Sequence, residues 1–355
     1  MTEAMVRLDA VEKNYGAVRA LAPTSLEIAK GEFLTLLGPS GSGKTTILNL
    51  ISGSTAATAG AIWIGGRNVT GLPPNQRELG MVFQNYALMP HMSVFENIAF
   101  PLRVRRRAEA EIKKKVNEVL DVIRLSGYGE RKPKELSGGQ QQRIAIARCL
   151  VYNPDLILMD EPLGALDKKL RDQLQLEIKR IHQTLGVTLL YVTHDQSEAL
   201  VLSDRICLMN GGEMEQIGTP DELYFKPRTV FAADFLGESN ILDVSVVSNG
   251  TEAKLSTRSG FHITGVETSW SAATAKIMIR PESFVVAPDG ESGPNTVTGL
   301  VEDVILTGGV VDVQVRLDDA EAINVRRLTT RDFRATERGQ PITLSVKPSD
   351  VVVLE

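Results

Sequence analysis

The chain has 355 residues, of which 43% are hydrophobic and 23% are charged. This balance is typical of a globular protein and excludes a disordered or collagen-like chain, while the length favours two domains. The formal net charge of −5 argues against nucleic acid as a partner, because such binding needs positive surface charge.

Two features of the sequence predict where the protein works. Its two cysteines, Cys149 and Cys207, form neither a disulfide framework nor a zinc motif, as expected in a reducing compartment. The first ten residues do not form a secretory signal, and no run of about 20 apolar residues is present to cross a bilayer. We therefore expect a cytoplasmic chain whose membrane role, if any, comes through a partner.

Up to Leu236, strand-like apolar runs alternate with helical patterns, which predicts a parallel α/β sheet. Four runs have the continuous apolar character of strands covered on both faces, namely 31–37, 155–159, 188–192 and 205–209. Two helices are predicted from apolar residues at helical spacing. The first carries Ile112, Val116, Val119, Leu120 and Ile123, and the second carries Leu170, Leu174, Ile178, Ile181 and Leu185.

A phosphate-binding loop is predicted directly after the first of these strands. Residues 38–45 read GPSGSGKT and fit the pattern G-x-x-x-x-G-K-[ST]. The glycines allow consecutive N–H groups to face phosphate oxygens, and the following helix adds its positive N-terminus. We expect Lys44 to contact the β- and γ-phosphates and Thr45 to bind Mg²⁺. The predicted nucleotide-binding residues of this loop are Gly38, Pro39, Ser40, Gly41, Ser42, Gly43, Lys44, Thr45 and Thr46. The alternative is a glycine-rich turn with a chance lysine, which the strand–loop–helix context disfavours.

A pair of carboxylates follows the second strand, in the sequence DLILMDE at 155–161. Asp160 and Glu161 should emerge at the carboxyl edge of the sheet, where α/β proteins bind ligands. One carboxylate can hold Mg²⁺, and the other can orient or deprotonate an attacking water. The alternative, a cap on the next helix, is weakened by Pro162.

The sequence LSGGQ at 136–140, followed by QQR, resembles the signature of ABC-type ATPases. Its loop should open a helix and provide a second anion-binding N-terminus, formed by Ser137, Gly138, Gly139 and Gln140. The order of this motif between the phosphate loop and DLILMDE is also that of the family, and the resemblance covers about residues 5–235.

Further positions match family elements in the same order. The resemblance implies that Tyr15 stacks on adenine, although core packing is the alternative for a tyrosine there. It also implies that Gln84 reaches Mg²⁺ and the attacking water, that residues 163–167 (LGALD) touch the dimer partner, and that His194 is the switch histidine. Glu161, His194 and Gln84 are thus the predicted catalytic residues, and Thr45, Gln84 and Asp160 the predicted Mg²⁺ ligands. Because the chain has one copy of each motif, the resemblance implies a head-to-tail homodimer that clamps ATP between a phosphate loop and the partner's LSGGQ.

Residues 82–102 resemble those of importer ATPases, in which the segment after the glutamine grips a membrane subunit. The residues that match the lining of that groove are Tyr86, Leu88, Pro90, His91 and Met92, for which ordinary packing is the alternative. The resemblance implies two transmembrane permease subunits, indirectly a periplasmic solute-binding protein, and a peripheral position on the cytoplasmic side of the inner membrane. The nearby basic run, Arg103 to Arg107 with Lys113 to Lys115, is predicted to be a solvated helix face rather than a nucleic-acid site.

After Leu236, short Val-, Ile- and Thr-rich runs alternate with turn residues, which predicts a small all-β domain. Residues 277–286 (IMIRPESFVV) and 344–353 (LSVKPSDVVV) are similar, which indicates two related β lobes or a coincidence between β segments. The whole segment resembles the OB-like (TOBE) domain of importers for sugars, polyamines, iron and oxyanions.

The patterns predict an α/β P-loop protein followed by an all-β domain, and the resemblance implies an ABC ATPase core with a helical subdomain followed by an OB-like barrel. The predicted domains are residues 1–236, with the helical subdomain at about 88–152, and residues 237–355. Residues 229–242 and 279–283 resemble most the spermidine and putrescine branch. The alternatives are another solute (sugar, ferric iron, sulfate or phosphonate) or a soluble ABC ATPase without a transport role.

Overall fold

The structure is a computed structural model that describes residues 4–164, 166–248, 250–268, 270, 272–287, 293–318, 321–329 and 337–355. The chain divides into two compact units, Met1–Pro220 and Asp221–Glu355. The sequence predicts a later boundary, after Leu236. Residues between these two positions group with the second unit because Arg280 donates hydrogen bonds to the carbonyl oxygens of Tyr224 and Ala233 at 2.7 and 3.0 Å.

The first unit contains ten strands and six helices among its described residues. Its strands are β1 (Ala4–Tyr15), β2 (Val18–Ala29), β3 (Phe33–Leu37), β4 (Ala59–Ile64), β5 (Arg67–Asn68), β6 (Gly80–Val82), β7 (Leu156–Asp160), β8 (Thr188–Thr193), β9 (Arg205–Asn210) and β10 (Glu213–Gly218). Its helices are α1 (Lys44–Ser52), α2 (Val94–Val104), α3 (Glu109–Val122), α4 (Gly138–Leu150), α5 (Lys168–Leu185) and α6 (Gln196–Leu202). The four predicted buried strands and the two predicted amphipathic helices are thereby confirmed, as β3, β7, β8, β9, α3 and α5.

A six-stranded sheet forms the centre of this unit, in the order β10-β9-β3-β8-β7-β6. Strands β9, β3, β8, β7 and β6 run parallel, and β10 joins the edge antiparallel to β9. All residues of β3 and β8 are buried, which explains why their sequences are mainly apolar. The carboxyl ends of β3, β8, β7 and β6 therefore lie side by side at one edge.

A second sheet in this unit is antiparallel, in the order β2-β1-β4-β5, and the sequence reading did not predict it. Buried and exposed residues alternate in the second half of β2, where Leu26 is buried between the exposed Ser25 and Glu27. Such strands cover one side of the core and leave the other in water. Helix α1 shares a hydrophobic cluster with this sheet through Ile47, Leu48 and Ile51, among others.

The basic run near α2 and α3 forms ion pairs at the surface, as the prediction of a solvated helix face requires. Arg103 pairs with Glu96 and Glu109, and Lys115 pairs with Glu111. None of the helices that the structure describes has the length and apolar character needed to cross a bilayer.

The second unit is built almost entirely from strands, which confirms the predicted all-β character. Its helices are α7 (Pro220–Phe225) and α8 (Val230–Phe235). Its strands are β11 (Asn240–Ser248), β12 (Gly250–Thr257), β13 (His262–Thr268), β14 (Thr274–Ile279), β15 (Val285–Val286), β16 (Thr296–Leu306), β17 (Val310–Arg316), β18 (Ala322–Leu328), β19 (Pro341–Ser345) and β20 (Val351–Leu354). Two five-stranded sheets, β13-β12-β11-β14-β20 and β15-β19-β16-β17-β18, enclose one hydrophobic core.

The two similar sequence segments adopt the same local structure and exchange strands. Each consists of a strand, a single 3-10 turn that begins at a proline, and a second strand. Strand β14 of the first segment pairs with β20 of the second, and β15 of the first pairs with β19 of the second. The internal similarity is therefore a structural repeat in which each segment contributes one strand to each sheet.

Candidate active site

Four neighbouring strand ends bring most of the predicted site residues together. Strand β3 leads into the phosphate loop, β7 ends at Asp160 and is followed by Glu161, β8 is followed by His194, and β6 is followed by Phe83 and Gln84. Because these strands are parallel and adjacent, the residues that follow them meet at one edge of the sheet.

The phosphate loop is held closed by Lys44, the first residue of α1. The Lys44 ammonium donates to the carbonyl oxygens of Gly38 and Pro39, each at 2.8 Å, and lies 3.4 Å from the Ser42 hydroxyl. Only 5% of the residue is exposed. The side chain therefore points into the loop, where it can meet phosphate oxygens.

Two glycines of this loop cannot be replaced without strain. A Cβ on Gly38 would lie 2.2 Å from the carbonyl oxygen of Met209 in β9. Gly43 has a φ of 99°, a left-handed conformation that other residues rarely adopt. The pattern of glycines thus follows from close packing on β9 and from the sharp turn into α1.

The charges in the loop and on β7 influence each other. Burial lowers the pKa of Lys44, while the neighbouring Glu161 and Asp160 oppose this shift. Burial also raises the pKa of Asp160; Glu161 raises it further and Lys44 lowers it. The ammonium is thus close enough to both carboxylates to offset part of their mutual repulsion.

Glu161, His194 and Gln84 form the second half of the site. The His194 Nδ1 lies 3.2 Å from the Glu161 Oε1, and the imidazole is exposed. A Cβ on Gly164 would lie 3.5 Å from the Gln84 Nε2 and 3.9 Å from the Glu161 Oε2, so both side chains border the same glycine. Glu161 has a φ of 42°, and its N–H donates to the carbonyl oxygen of Val192 at 3.0 Å. Strained backbone of this kind concentrates at functional sites.

The oxygen donors at this edge fit Mg²⁺ bound together with a nucleotide. Thr45 and Gln84 are exposed, and Asp160 is half-buried. Across the described ranges, no group of three or more His, Cys, Asp or Glu side chains could hold a metal ion. Because Mg²⁺ is commonly held by one or two protein ligands plus substrate phosphates, these residues fit a shared site and not a cage of their own.

The signature residues stand apart from this constellation, at the start of α4. Ser137 and Gln140 form a capping box, in which the Ser137 N–H donates to the Gln140 Oε1 at 2.9 Å and the Gln140 N–H donates to the Ser137 hydroxyl at 3.4 Å. A Cβ on Gly139 would lie 2.9 Å from the Leu170 Cδ1, so this glycine packs closely on leucine side chains of α5. In the part of the chain that the structure describes, the hydrogen bonds of Ser137 and Gln140 are local and do not reach the phosphate loop.

The other predicted residues have mixed surroundings. Tyr15 is 50% exposed, with the Lys13 ammonium 4.8 Å from its ring centre, so it is not a core residue. Tyr86 and Leu88 pack partly on the hydrophobic core, whereas Pro90 and His91 are exposed. The predicted partner-contact loop, 163–167, includes Ala165, which lies outside the described residues.

Sequence reasoning missed the side chains that fix these loops. Arg148 donates to the carbonyl oxygens of Tyr86 and Ala87 at 2.9 and 2.6 Å, and the Asn97 side chain bonds both the N–H and the carbonyl oxygen of Met89. Arg171 donates to the Asp195 carboxylate and to the carbonyl oxygen of Leu166. Arg148 contacts residues 61 and 62 positions away, and Arg171 contacts one 24 positions away, so no local pattern indicates these bonds.

The sequence is similar to known proteins along almost its whole length. Residues 21–164 match the ABC transporter family, and residues 277–354 match the TOBE domain family. The spermidine/putrescine import ATP-binding protein PotA of Nitratidesulfovibrio vulgaris is 44% identical over 93% of this chain and 89% of its own. The PotA of Thermotoga maritima is 42% identical over 99% of this chain and 98% of its own.

This chain belongs to the family of ABC transporter ATP-binding proteins. As an ABC-type ATPase it binds and hydrolyses ATP, which agrees with the loop and carboxylates described above. A solved ABC structure agrees as well: the dimeric, post-hydrolysis state of the ATP-binding cassette MJ0796 bound to ADP and Pi. The MJ0796 structure matches this chain with a TM-score of 0.54 and 36% identity, over 61% of this chain and 99% of the MJ0796 chain.

Proposed function

We propose that this protein is the ATP-hydrolysing subunit of a polyamine importer that takes up spermidine or putrescine. One observation carries the proposal: the similarity to spermidine/putrescine import ATP-binding proteins extends through both units, at 42% identity over 99% of the chain. The similarity thus includes the β unit as well as the ATPase unit. The site geometry supports the hydrolytic part.

In this proposal the phosphate loop binds the nucleotide. Lys44 exchanges the carbonyl oxygens of Gly38 and Pro39 for β- and γ-phosphate oxygens, and Tyr15 stacks on adenine. Thr45, Asp160 and Gln84 would hold Mg²⁺, which neutralises developing negative charge on the phosphates when it is bound. The exposed Tyr15 ring and the buried Lys44 ammonium support these roles.

Glu161 is the proposed base that orients the attacking water and accepts its proton. His194 lies 3.2 Å from Glu161 and would hold the carboxylate and the γ-phosphate in register. Gln84 borders the same glycine as Glu161 and would complete the position of the water.

The site would be completed by a second copy of the chain. Ser137, Gly138, Gly139 and Gln140 of the partner would reach the γ-phosphate and close the dimer around ATP. The dimeric MJ0796 structure supports a two-copy assembly. Since the γ-phosphate would contact both halves, ADP alone, without that phosphate, would not hold the dimer closed.

Closure would be transmitted to two transmembrane permease subunits through residues 84–92, with a periplasmic solute-binding protein as an indirect partner. This arrangement puts the chain on the cytoplasmic side of the inner membrane. Phe83 directly precedes this segment, Phe100 follows it in sequence, and both side chains are exposed. A permease partner could cover these apolar side chains.

Uptake of radiolabelled spermidine and putrescine tests the proposal. Cells whose own copy of this gene carries Glu161→Gln should lose uptake of at least one polyamine, while cells restored with the unaltered chain should regain it. Uptake of labelled maltose, ferric iron, sulfate and phosphonate serves as the comparison. Unchanged polyamine uptake together with loss of another solute would overturn the polyamine assignment and leave the ATPase assignment standing.

A further inference from the structure

We propose that Arg171 is a positioning residue that makes the geometry of His194 depend on the partner-contact loop, residues 163–167. The inference rests on the proposed function, because it assigns His194 and this loop their roles in a closed dimer. Arg171 itself touches neither nucleotide nor reacting atoms in this account.

Among the described hydrogen bonds, Arg171 is the one side chain of α5 that contacts both the loop after Glu161 and the residue after His194. Its Nη2 donates to the carbonyl oxygen of Leu166 at 3.1 Å, and its Nη1 donates to the Asp195 carboxylate at 3.0 Å. Leu166 belongs to the loop that follows Glu161, and Asp195 directly follows His194. A single planar guanidinium therefore fixes the distance between these two segments.

Hydrogen bonds hold residues 193–195, the turn that contains His194, so that this turn can move as one rigid unit. The Thr193 hydroxyl accepts a hydrogen bond from the Asp195 N–H at 3.0 Å, which closes a turn over His194. The same hydroxyl donates to the Glu198 Oε2 at 2.7 Å, and the Asp195 carboxylate caps α6 through the Glu198 N–H at 3.1 Å. Displacement of Asp195 by Arg171 would therefore carry His194 with it.

Arg171 has a second arrangement within reach. Within the described ranges its Nε is a buried donor without a hydrogen-bond partner, 3.9 Å from the Glu198 Oε1. The Glu198 side chain is 3% exposed, and its other oxygen accepts from Tyr191 and Thr193. A shift of the guanidinium by about 1 Å toward Glu198 would satisfy this donor, at the expense of the bond to Leu166.

The two arrangements provide a switch that the partner can bias. In one, Arg171 holds the Leu166 carbonyl; in the other, it is drawn toward Glu198 and moves Asp195. A partner copy that displaces the loop changes the balance between them, and His194 moves relative to Glu161. Coupling between two sites requires an element of this kind, with discrete states that both sites influence.

Three variants of the full chain test the proposal: Arg171→Lys, Arg171→Met and, as a control, Lys169→Met. Lysine keeps the charge and can pair with Asp195, but its compact ammonium lacks the rigid planar fork that holds Asp195 and Leu166 at a set distance. Lys169 is exposed on the same helix, so its loss matches the change in charge outside the network. We expect Arg171→Lys to lower kcat for ATP hydrolysis at least about tenfold, with KM within about threefold. Lys169→Met should retain the parental values.

The second measurement does not depend on hydrolysis. In chains that also carry Glu161→Gln, ATP-dependent protection from hydrogen exchange is compared for residues 163–167 and 191–198. ATP should protect both segments in the parent, and only 163–167 when Arg171→Lys is added. Parental kcat and equal protection of both segments in Arg171→Lys would overturn the proposal. Failure of Arg171→Lys to fold would also overturn it, because the arginine would then be purely structural.

Failure of the proposed function gives a different result. If the closed dimer of the proposed function does not form, ATP would protect neither segment in the Glu161→Gln chain, whatever residue stood at 171. If only Arg171→Met unfolds, the lysine variant still decides, since it preserves the ion pair with Asp195.

Discussion

Arg148 holds the backbone of Tyr86 in a left-handed conformation. Its guanidinium donates to the Tyr86 carbonyl oxygen at 2.9 Å, where the Tyr86 φ is 59°, and to that of Ala87, where φ is 46°. Two consecutive non-glycine residues in this region cost about 1–3 kcal/mol each, so they persist only while the surroundings fix them. Arg148 lies in the helix that Ser137 opens, and thus joins the signature helix to the segment that follows Gln84.

Arg148→Met should therefore release the segment 84–92 without unfolding the unit. We expect hydrogen exchange in these residues to become faster by about tenfold or more, because the strained carbonyls lose their donor. Hydrogen exchange followed by mass spectrometry measures it. Arg143→Met is the matched control, since Arg143 lies on the same helix and donates to the distant Ile123 carbonyl. Equal exchange in 84–92 for both variants would contradict the assigned clamp.

Glu161→Gln should separate nucleotide binding from hydrolysis. The amide keeps the size of the carboxylate but cannot accept a proton, so we expect ATP affinity within about threefold of the parent and turnover at least about a hundredfold lower. Light scattering should then detect a dimer with ATP and none with ADP. Normal turnover in this variant would remove Glu161 from the role of base.

Lys44→Ala should weaken ATP binding, since the ammonium would otherwise make charge-assisted bonds to the phosphates. We expect a loss of affinity of about tenfold or more by isothermal titration calorimetry. Lys30→Ala, an exposed lysine of the same unit, provides the control. Equal affinities of the two variants would count against the phosphate role of Lys44.

Arg77→Met should destabilise the first unit. The buried guanidinium donates to the carbonyl oxygens of Leu50 and Ile51 at the end of α1, and to those of Thr70 and Leu72. Removal of these bonds leaves buried acceptors unpaired, which should lower the free energy of unfolding by about 3 kcal/mol. Urea titration measures the change, and Arg67→Met, at an exposed position, should shift it by less than about 0.5 kcal/mol.

The position of the domain boundary predicts a difference between two fragments. Fragment 221–355 retains the carbonyl groups of Tyr224, Ala233 and Gly237 that accept bonds from Arg280, whereas fragment 240–355 loses them all. Arg280 is 2% exposed, so the shorter fragment should be about 3–5 kcal/mol less stable to urea. Introduction of Arg280→Met into both fragments should reduce this gap. Equal stability of the unmodified fragments would favour the boundary after Leu236.

Prediction from the sequence worked best where the functional residues are consecutive, or lie at or directly after the end of a strand. GPSGSGKT lies between a buried strand and a helix, so the loop, the lysine and their orientation follow from eight consecutive residues. The carboxylates after β7 and the histidine after β8 were predictable for the same reason, since parallel strands bring their carboxyl ends to one edge.

Contacts between distant residues were beyond this kind of reading. Arg148 and Tyr86 are 62 positions apart, and Arg171 and Asp195 are 24 apart, so no periodicity connects them. The antiparallel sheet of β1, β2, β4 and β5 escaped prediction because polar residues separate the apolar residues of its long strands β1 and β2, so no continuous apolar run marks them. The pairing of β14 with β20 escaped because sequence similarity reveals a repeat but not which strands it exchanges.

The strand exchange has a consequence for how the β unit folds during synthesis. Strand β14 is flanked by β11 on one side and by β20 on the other, and β20 comprises residues 351–354. Until β20 has been synthesised and has paired, β14 presents a row of unpaired N–H and C=O groups, the kind of edge that recruits other chains. The β unit therefore completes its first sheet only after β20 has left the ribosome, and until then the free edge of β14 exposes the nascent chain to aggregation.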